Sequence, residues 1–371
     1  MTKTFRAALV AAALLSTLTA LHAQLLIGQT AGFSGPVAAG VKEAADGAKL
    51  WINAVNARGG VNGQKIELVS MDDKFEPKLA AQNAKKLVEE RNVLALFLTR
   101  GTPHNEAILP ILDANNVPLI APSTGAMVLH QPVNRHVFNV RSTYQREAEK
   151  ALDHLVGLGM HRIAVVAADD SFGSDVAKGL ARGFERAKLK PVAEISADRS
   201  KPDFGHIVPA IIASQAQAVM WIGSGNSVSD GVKALRAAGS SAQVLTLSNN
   251  ASGGFVKNMG EYARGVIVTQ AFPNERSAAS PFVREAMQLA KAAGIDSVSP
   301  AMLEGYAGAK VLVEGLRRAG RVPTRASLQA ALETIQNMDI GGLEVTYSTT
   351  DHTGFDYAEL SIIGADGNFR R

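Results

Sequence analysis

The chain has 371 residues, 38 basic against 34 acidic side chains, and no cysteine. That length exceeds what one hydrophobic core usually serves, so two globular units are expected. A content of 46% hydrophobic and 19% charged residues excludes a disordered or collagenous chain, and zero cysteines exclude a thiol nucleophile, a Cys-ligated zinc and any disulfide.

In chain order, the first feature is a short basic start (Lys3, Arg6), an apolar run over 7–21 and then Leu-His-Ala ending at Ala23. The pattern is that of an export signal cleaved after Ala23, before Gln24, because the run is shorter than the roughly 20 residues of a membrane span. A location outside the cytoplasm follows as an expectation. Beyond Gln24, short apolar runs alternate with helical ones. Strands are expected at 25–31, 65–73, 93–98 and 117–122, with helices between them, including 77–91 and 103–115. A second series begins near Tyr144: helices at 147–158, 175–187, 203–214 and 229–238 alternate with strands at 162–169, 191–196, 218–223 and 243–248, and a further strand contains Gly-Val-Ile-Val-Thr-Gln. A third stretch, 281–320 and 325–336, reads as helical and should pack back on the first unit. The tail 358–369 reads as a terminal strand ending in an Asp-Gly turn. This alternation implies right-handed crossovers and mostly parallel sheets with helices on both faces.

Several strings in this order resemble those of the periplasmic substrate-binding proteins of the leucine/isoleucine/valine type, which serve ATP-driven uptake systems. They are Ser-Gly-Pro-Val-Ala at 34–38, the run at 52–69, Asp-Asp-x-x-x-Pro at 72–77, Pro-Leu-Ile-Ala-Pro-Ser-Thr-Gly at 118–125, Asp-Asp-Ser-Phe-Gly at 169–173, and the helices at 232–239 and 306–320. The resemblance spans essentially all of the chain past residue 23. It implies a type I periplasmic-binding fold, with two Rossmann-like α/β lobes joined by three crossovers: 24–143 with 272–345 as the first lobe, and 144–271 with 346–371 as the second. It also implies a solute-binding, non-enzymatic monomer in the periplasm that hands a small carboxylate-bearing ligand to the membrane permease of an ABC transporter. No cofactor, metal or nucleic-acid partner is implied.

The family's ligand groups carry over by position. Thr102 falls where a hydroxyl meets the ligand carboxylate. Ser123, Thr124 and Gly125 fall on the next strand end, and Phe172 and Ser224 on the second lobe. Asn249 stands at about the position of the acid that meets an ammonium, which points to an organic acid rather than an amino acid. Asp170 and Glu304 are the alternative acids. Tyr144 and Arg146, just past the first crossover, are further candidates, and Arg141 reads as structural. Two residues keep a second reading. Thr102 before Pro103 is also a helix cap followed by a good first-turn residue. Arg100 is either a solvated arginine or a bidentate carboxylate clamp beside a helix N-terminus.

The acid pairs Asp72–Asp73 and Asp169–Asp170 lack the alternating spacing of a calcium loop and suit turns and caps. Gly-Phe-Ser-Gly-Pro at 32–36 is not a nucleophile elbow, which counts against the alternative of a secreted hydrolase. A solute sensor reporting to a membrane receptor would share fold and ligand.

Overall fold

The computed structural model describes residues 24–371, so the export signal and its cleavage after Ala23 lie outside the described residues. The first sheet is parallel throughout, in the order β2-β1-β3-β4-β5: Leu25–Ala31 (β1), Ile66–Asp72 (β2), Ala95–Phe97 (β3), Leu119–Ile120 (β4) and Val137–Phe138 (β5). Its helices are Ala38–Ala57 (α1), Pro77–Lys85 (α2), which runs on as a π turn to Glu90, and Thr102–Asn115 (α3). Both faces of the sheet are covered. Ile27, Phe97 and Phe138 belong to one apolar core, and Leu96, Leu119 and Val137 to another. That two-sided burial is why these strands read as continuous apolar runs rather than alternating ones.

The second sheet runs β14-β13-β10-β9-β8-β6-β7. Its parallel strands are Ile163–Ala168 (β6), Ala193–Ala197 (β7), Ala218–Ile222 (β8), Gln243–Thr246 (β9) and Ile267–Gln270 (β10), with helices Tyr144–Gly157 (α4), Ser171–Ala187 (α5), Phe204–Ala213 (α6), Asn226–Ala237 (α7) and Gly253–Met259 (α8) between them. The chain then returns to the first lobe with Pro281–Ala292 (α9), Pro300–Arg318 (α10), Arg325–Glu333 (α11) and the small hairpin Met338–Asp339 (β11) and Glu344–Val345 (β12). The stretch 281–320, expected as one helical run, is two helices. Ser299 caps the second through the Met302 N–H, with Pro300 in its first turn. Where α10 crosses α1 the backbones nearly touch: a Cβ on Gly305 would stand 1.8 Å from the Ala44 carbonyl oxygen, and one on Gly47 1.9 Å from that of Met302. Only glycine permits that approach.

The third crossing returns the chain to the second sheet, where Glu359–Ile363 (β13) pairs antiparallel with β10 and Phe369–Arg370 (β14) with β13. The segment 346–355, expected in the second lobe, packs on the first. The Tyr347 hydroxyl donates to the Asn139 carbonyl, His352 stacks on Phe138 at 4.0 Å, and Phe355 is part of the first core. Aromatic burial thus delays the crossing until after Phe355.

The second crossing carries Glu275, 5% exposed, with Oε2 buried and unpartnered. Burial pushes its carboxyl up to about 7 from an ordinary 4.5. A raised acid stabilises the fold fully only below its unfolded pKa, and that contribution is lost as pH rises through the folded one. Between pH 5 and 8 the wild type should therefore lose about 2–3 kcal/mol of stability that Glu275→Gln retains. Denaturant titrations of both proteins across that range check this, and parallel profiles would refute it.

Candidate functional site

The two sheets present the C-terminal ends of their parallel strands to each other, which is where open α/β sheets bind ligands. Residues after β3 and β4 face residues after β6, β7, β8 and β9. On the first lobe, Leu98 and Ala121 take left-handed backbone (φ 52 and 51), as does Gly101 (φ 95). Such geometry at non-glycine residues costs about 1–3 kcal/mol each and gathers at functional sites. Here it brings the two strand ends together: Ser123 N donates to the Thr99 carbonyl at 2.7 Å, and Arg100 and Ser123 pair as an isolated bridge.

Arg100 is buried, 5% exposed, so the solvated reading fails. Its Nη1 donates to Ser123 Oγ at 2.9 Å and its Nη2 to the main-chain carbonyl of Asn249 on the other lobe. Thr102 does not cap α3. Gly101 holds the cap position, Thr102 and Pro103 begin the helix, and the Thr102 hydroxyl instead meets Thr124 Oγ1 at 2.9 Å. Gly125 shapes the first crossing: its carbonyl accepts from Tyr144 N at 2.7 Å, and a Cβ there would lie 2.5 Å from the Ser142 carbonyl oxygen.

On the second lobe, Asn249 donates through Nδ2 to the Gly223 carbonyl (2.9 Å) and Ser224 Oγ (3.2 Å), while its Oδ1 is buried without a partner. Asp170 is occupied as the cap of α5, accepting from Phe172 N (2.9 Å) and Gly173 N (3.2 Å), and it pairs with Arg199 Nη2 at 2.8 Å. Phe172 meets Tyr144 edge-on at 4.9 Å. Arg146 departs from expectation. Because α4 starts at Tyr144, its side chain leaves on the outer face, half exposed, beside Asp356 at 3.5 Å.

Two participants, Arg199 and His104, carried no sequence signal. Arg199, after β7, lies between Phe172 of its own lobe (4.9 Å) and Phe75 of the first (5.4 Å). His104 stacks on Phe75 at 4.3 Å, and burial pushes its imidazole down to about 4, so it is neutral, with both ring nitrogens unpartnered. Arg141, expected to be structural, is the centre of a hinge network. It pairs with Glu147 (2.5 Å) on α4 and Glu304 (3.3 Å) on α10, donates to Ser248 Oγ, and sits 4.6 Å from the Tyr144 ring. Glu147 also accepts from Ser248 N (3.0 Å), Ser248 Oγ (2.9 Å) and Thr269 Oγ1.

The lobes are closed on one another at the lip. Asn226 N donates to the Pro36 carbonyl at 3.1 Å, and Glu43 of α1 accepts from the Gly253 and Gly254 N–H groups at 3.0 and 2.8 Å. Within the cleft, Arg100, Asn249, Asn250, Ser252, Phe255, Val37 and Gly40 line a half-open cavity of about 20 Å³, room for one water. Anything larger enters only if the lobes part.

Residues 24–362 match the family model described as periplasmic binding protein. The chain belongs to the periplasmic binding protein family. This periplasmic binding protein is 27% identical over 347 residues to a Leu/Ile/Val-binding protein homolog 3 of Brucella melitensis, covering 91% of each chain. Its fold superposes with a TM-score of 0.87 on a substrate-binding periplasmic protein of Ralstonia solanacearum, at 30% identity and covering 94% and 99% of the two chains. It superposes at 0.88 on a possible leucine/isoleucine/valine-binding protein of Rhodopirellula baltica, at 26% identity and covering 94% and 97%. The two Rossmann-like lobes with three crossovers are thus the type I periplasmic-binding fold, and the role of this periplasmic binding protein is to bind a solute. Its family consists of binding proteins rather than enzymes.

Proposed function

We propose that the chain is the periplasmic solute-binding component of an ABC uptake system, closing as a monomer on a small carboxylate-bearing ligand and delivering it to a membrane permease. The observation that carries the ligand class is Arg100. It is a buried cation at the meeting of the two lobes whose hydrogen bonds go to neutral acceptors, beside the hydroxyls of Ser123, Thr102 and Thr124. An uncompensated buried charge is costly, and a carboxylate is the anion a guanidinium fork fits best. The names of relatives that bind amino acids, carboxylates all, support the same reading.

Closure on a ligand is tested by scattering. A thermal-shift screen of carboxylates and amino acids identifies a binder, since a ligand of the native state raises the melting point by mass action. Saturating wild type with it should shrink the radius of gyration. Gly225→Ala should block that change, because a Cβ at Gly225 would stand 1.9 Å from the Pro36 carbonyl oxygen on the opposite lobe. The expected loss of affinity is about tenfold or more, with each lobe still folded. Full compaction and unchanged affinity in Gly225→Ala would refute closure along this seam.

A further inference from the structure

We propose that the ligand is a small α-hydroxy carboxylate, its carboxylate paired with Arg100 and its hydroxyl donating to Asn249 Oδ1, and that α-amino acids are rejected. This rests on the carboxylate reading of the cleft and goes beyond it to the neighbouring group on the ligand. Two residues of one small cavity each lack something: Arg100 a counter-ion, and Asn249 Oδ1 a donor. Arg100 has no carboxylate within ion-pair distance among the described residues. Asn249 Oδ1 has no donor. Its amide orientation is fixed, because Nδ2 must face the Gly223 carbonyl, so the unmet atom is an acceptor. Both residues line the same cavity, and Arg100 is itself bonded to the Asn249 main chain. A small ligand whose carboxylate meets Arg100 therefore carries its donor near that carboxylate, where an α-hydroxyl stands.

The donor is a hydroxyl rather than an ammonium because the residues lining the cavity include no acid to compensate one, and the acids nearest the hinge are engaged. Asp170 is bound to Arg199 and to the α5 N-terminus. Glu147 accepts from Arg141, Ser248 and Thr269 on both its oxygens. Glu304 is bound to Arg141 at the hinge. An ammonium meeting Asn249 would face a neutral amide on one side and the Arg100 cation on the other, an uncompensated buried charge. Val37 and Phe255, which line the same cavity, would receive the apolar remainder.

Calorimetry on three matched sets tests this: propionate, lactate and alanine; isocaproate, hydroxyisocaproate and leucine; phenylpropionate, phenyllactate and phenylalanine. In at least one set the hydroxy acid should bind about tenfold tighter than the unsubstituted acid, the range of one hydrogen bond, and the amino acid should not bind at about 10 mM. Asn249→Ala should bring the hydroxy and unsubstituted acids to equal affinity while both still bind. The wild-type ratios decide the class even if that variant does not fold. An amino acid binding tightest in its set overturns the proposal and leaves the carboxylate reading standing. Equal affinity of hydroxy and unsubstituted acids in wild type overturns the role of Asn249. Failure of all nine compounds overturns the carboxylate reading as well.

Discussion

Arg141→Met should destabilise the protein by about 3–5 kcal/mol, the cost of leaving a buried carboxylate without its partner. Arg141 is 1% exposed and holds two acids, Glu147 at 0% and Glu304 at 7% exposure, one on each lobe. Methionine preserves most of the volume and stacking but none of the charge, so the loss is electrostatic. Burial opposes the arginine's charge, yet Tyr144, Glu147 and Glu304 around it raise its pKa above the ordinary value, which keeps it protonated throughout. Adding Glu147→Gln and Glu304→Gln to the Met variant should recover much of the loss. Equilibrium denaturation measures both, and a loss below about 1 kcal/mol in the single variant would show that the acids find other partners.

Arg100→Ala should abolish carboxylate binding by about 2–5 kcal/mol, at least thirtyfold for the tightest acid of the matched sets. The free protein should be no less stable, because removing a buried cation without an ionic partner removes its desolvation cost along with two neutral hydrogen bonds. That opposition, affinity lost while stability holds, separates a ligand role from a structural one. Arg100→Lys should recover only part of the affinity, since an ammonium cannot offer the planar fork. Calorimetry and thermal melting together decide it; falling affinity and stability in parallel would make Arg100 a strut between the lobes.

Much of this was legible in the sequence because the signals were local. Pro77 at a helix start and the apolar runs of β1, β3 and β8 each announce an element from neighbouring residues alone, whereas the helix start at Pro300 was passed over inside a longer helical run. The positions of Ser123 and Asn249 came from the resemblance, and Arg100 from its place on the loop beside a helix start. What stayed hidden depends on partners distant along the chain. Nothing around Arg199 announces that it faces Asp170, 29 residues earlier, or Phe75 on the other lobe. Arg146 was misplaced because α4 begins at Tyr144, earlier than its apolar pattern suggests, which turns that side chain outward. The fate of 346–355 was likewise unreadable, since aromatic burial against Phe138 rather than any turn signal sets where the chain crosses.

The return of the chain to the first lobe has a consequence for biosynthesis. That lobe begins at Leu25, yet the face of α1 that meets α10 at Gly47 and Gly305 stays uncovered until α10, about 250 residues later, has been made, and its core closes only with Tyr347 and Phe355. A ribosome adding about 5–20 residues each second leaves the amino-terminal segment without its buried partner for on the order of ten seconds or more. During that interval the strands of the first sheet are synthesised but the α1 side of their core, still without α9, α10 and Tyr347, is only partly covered. A nascent chain in this condition exposes apolar surface that aggregation and chaperones act on. The glycine-tight crossing of α1 with α10 therefore sets the timing of folding as well as the shape of the lobe.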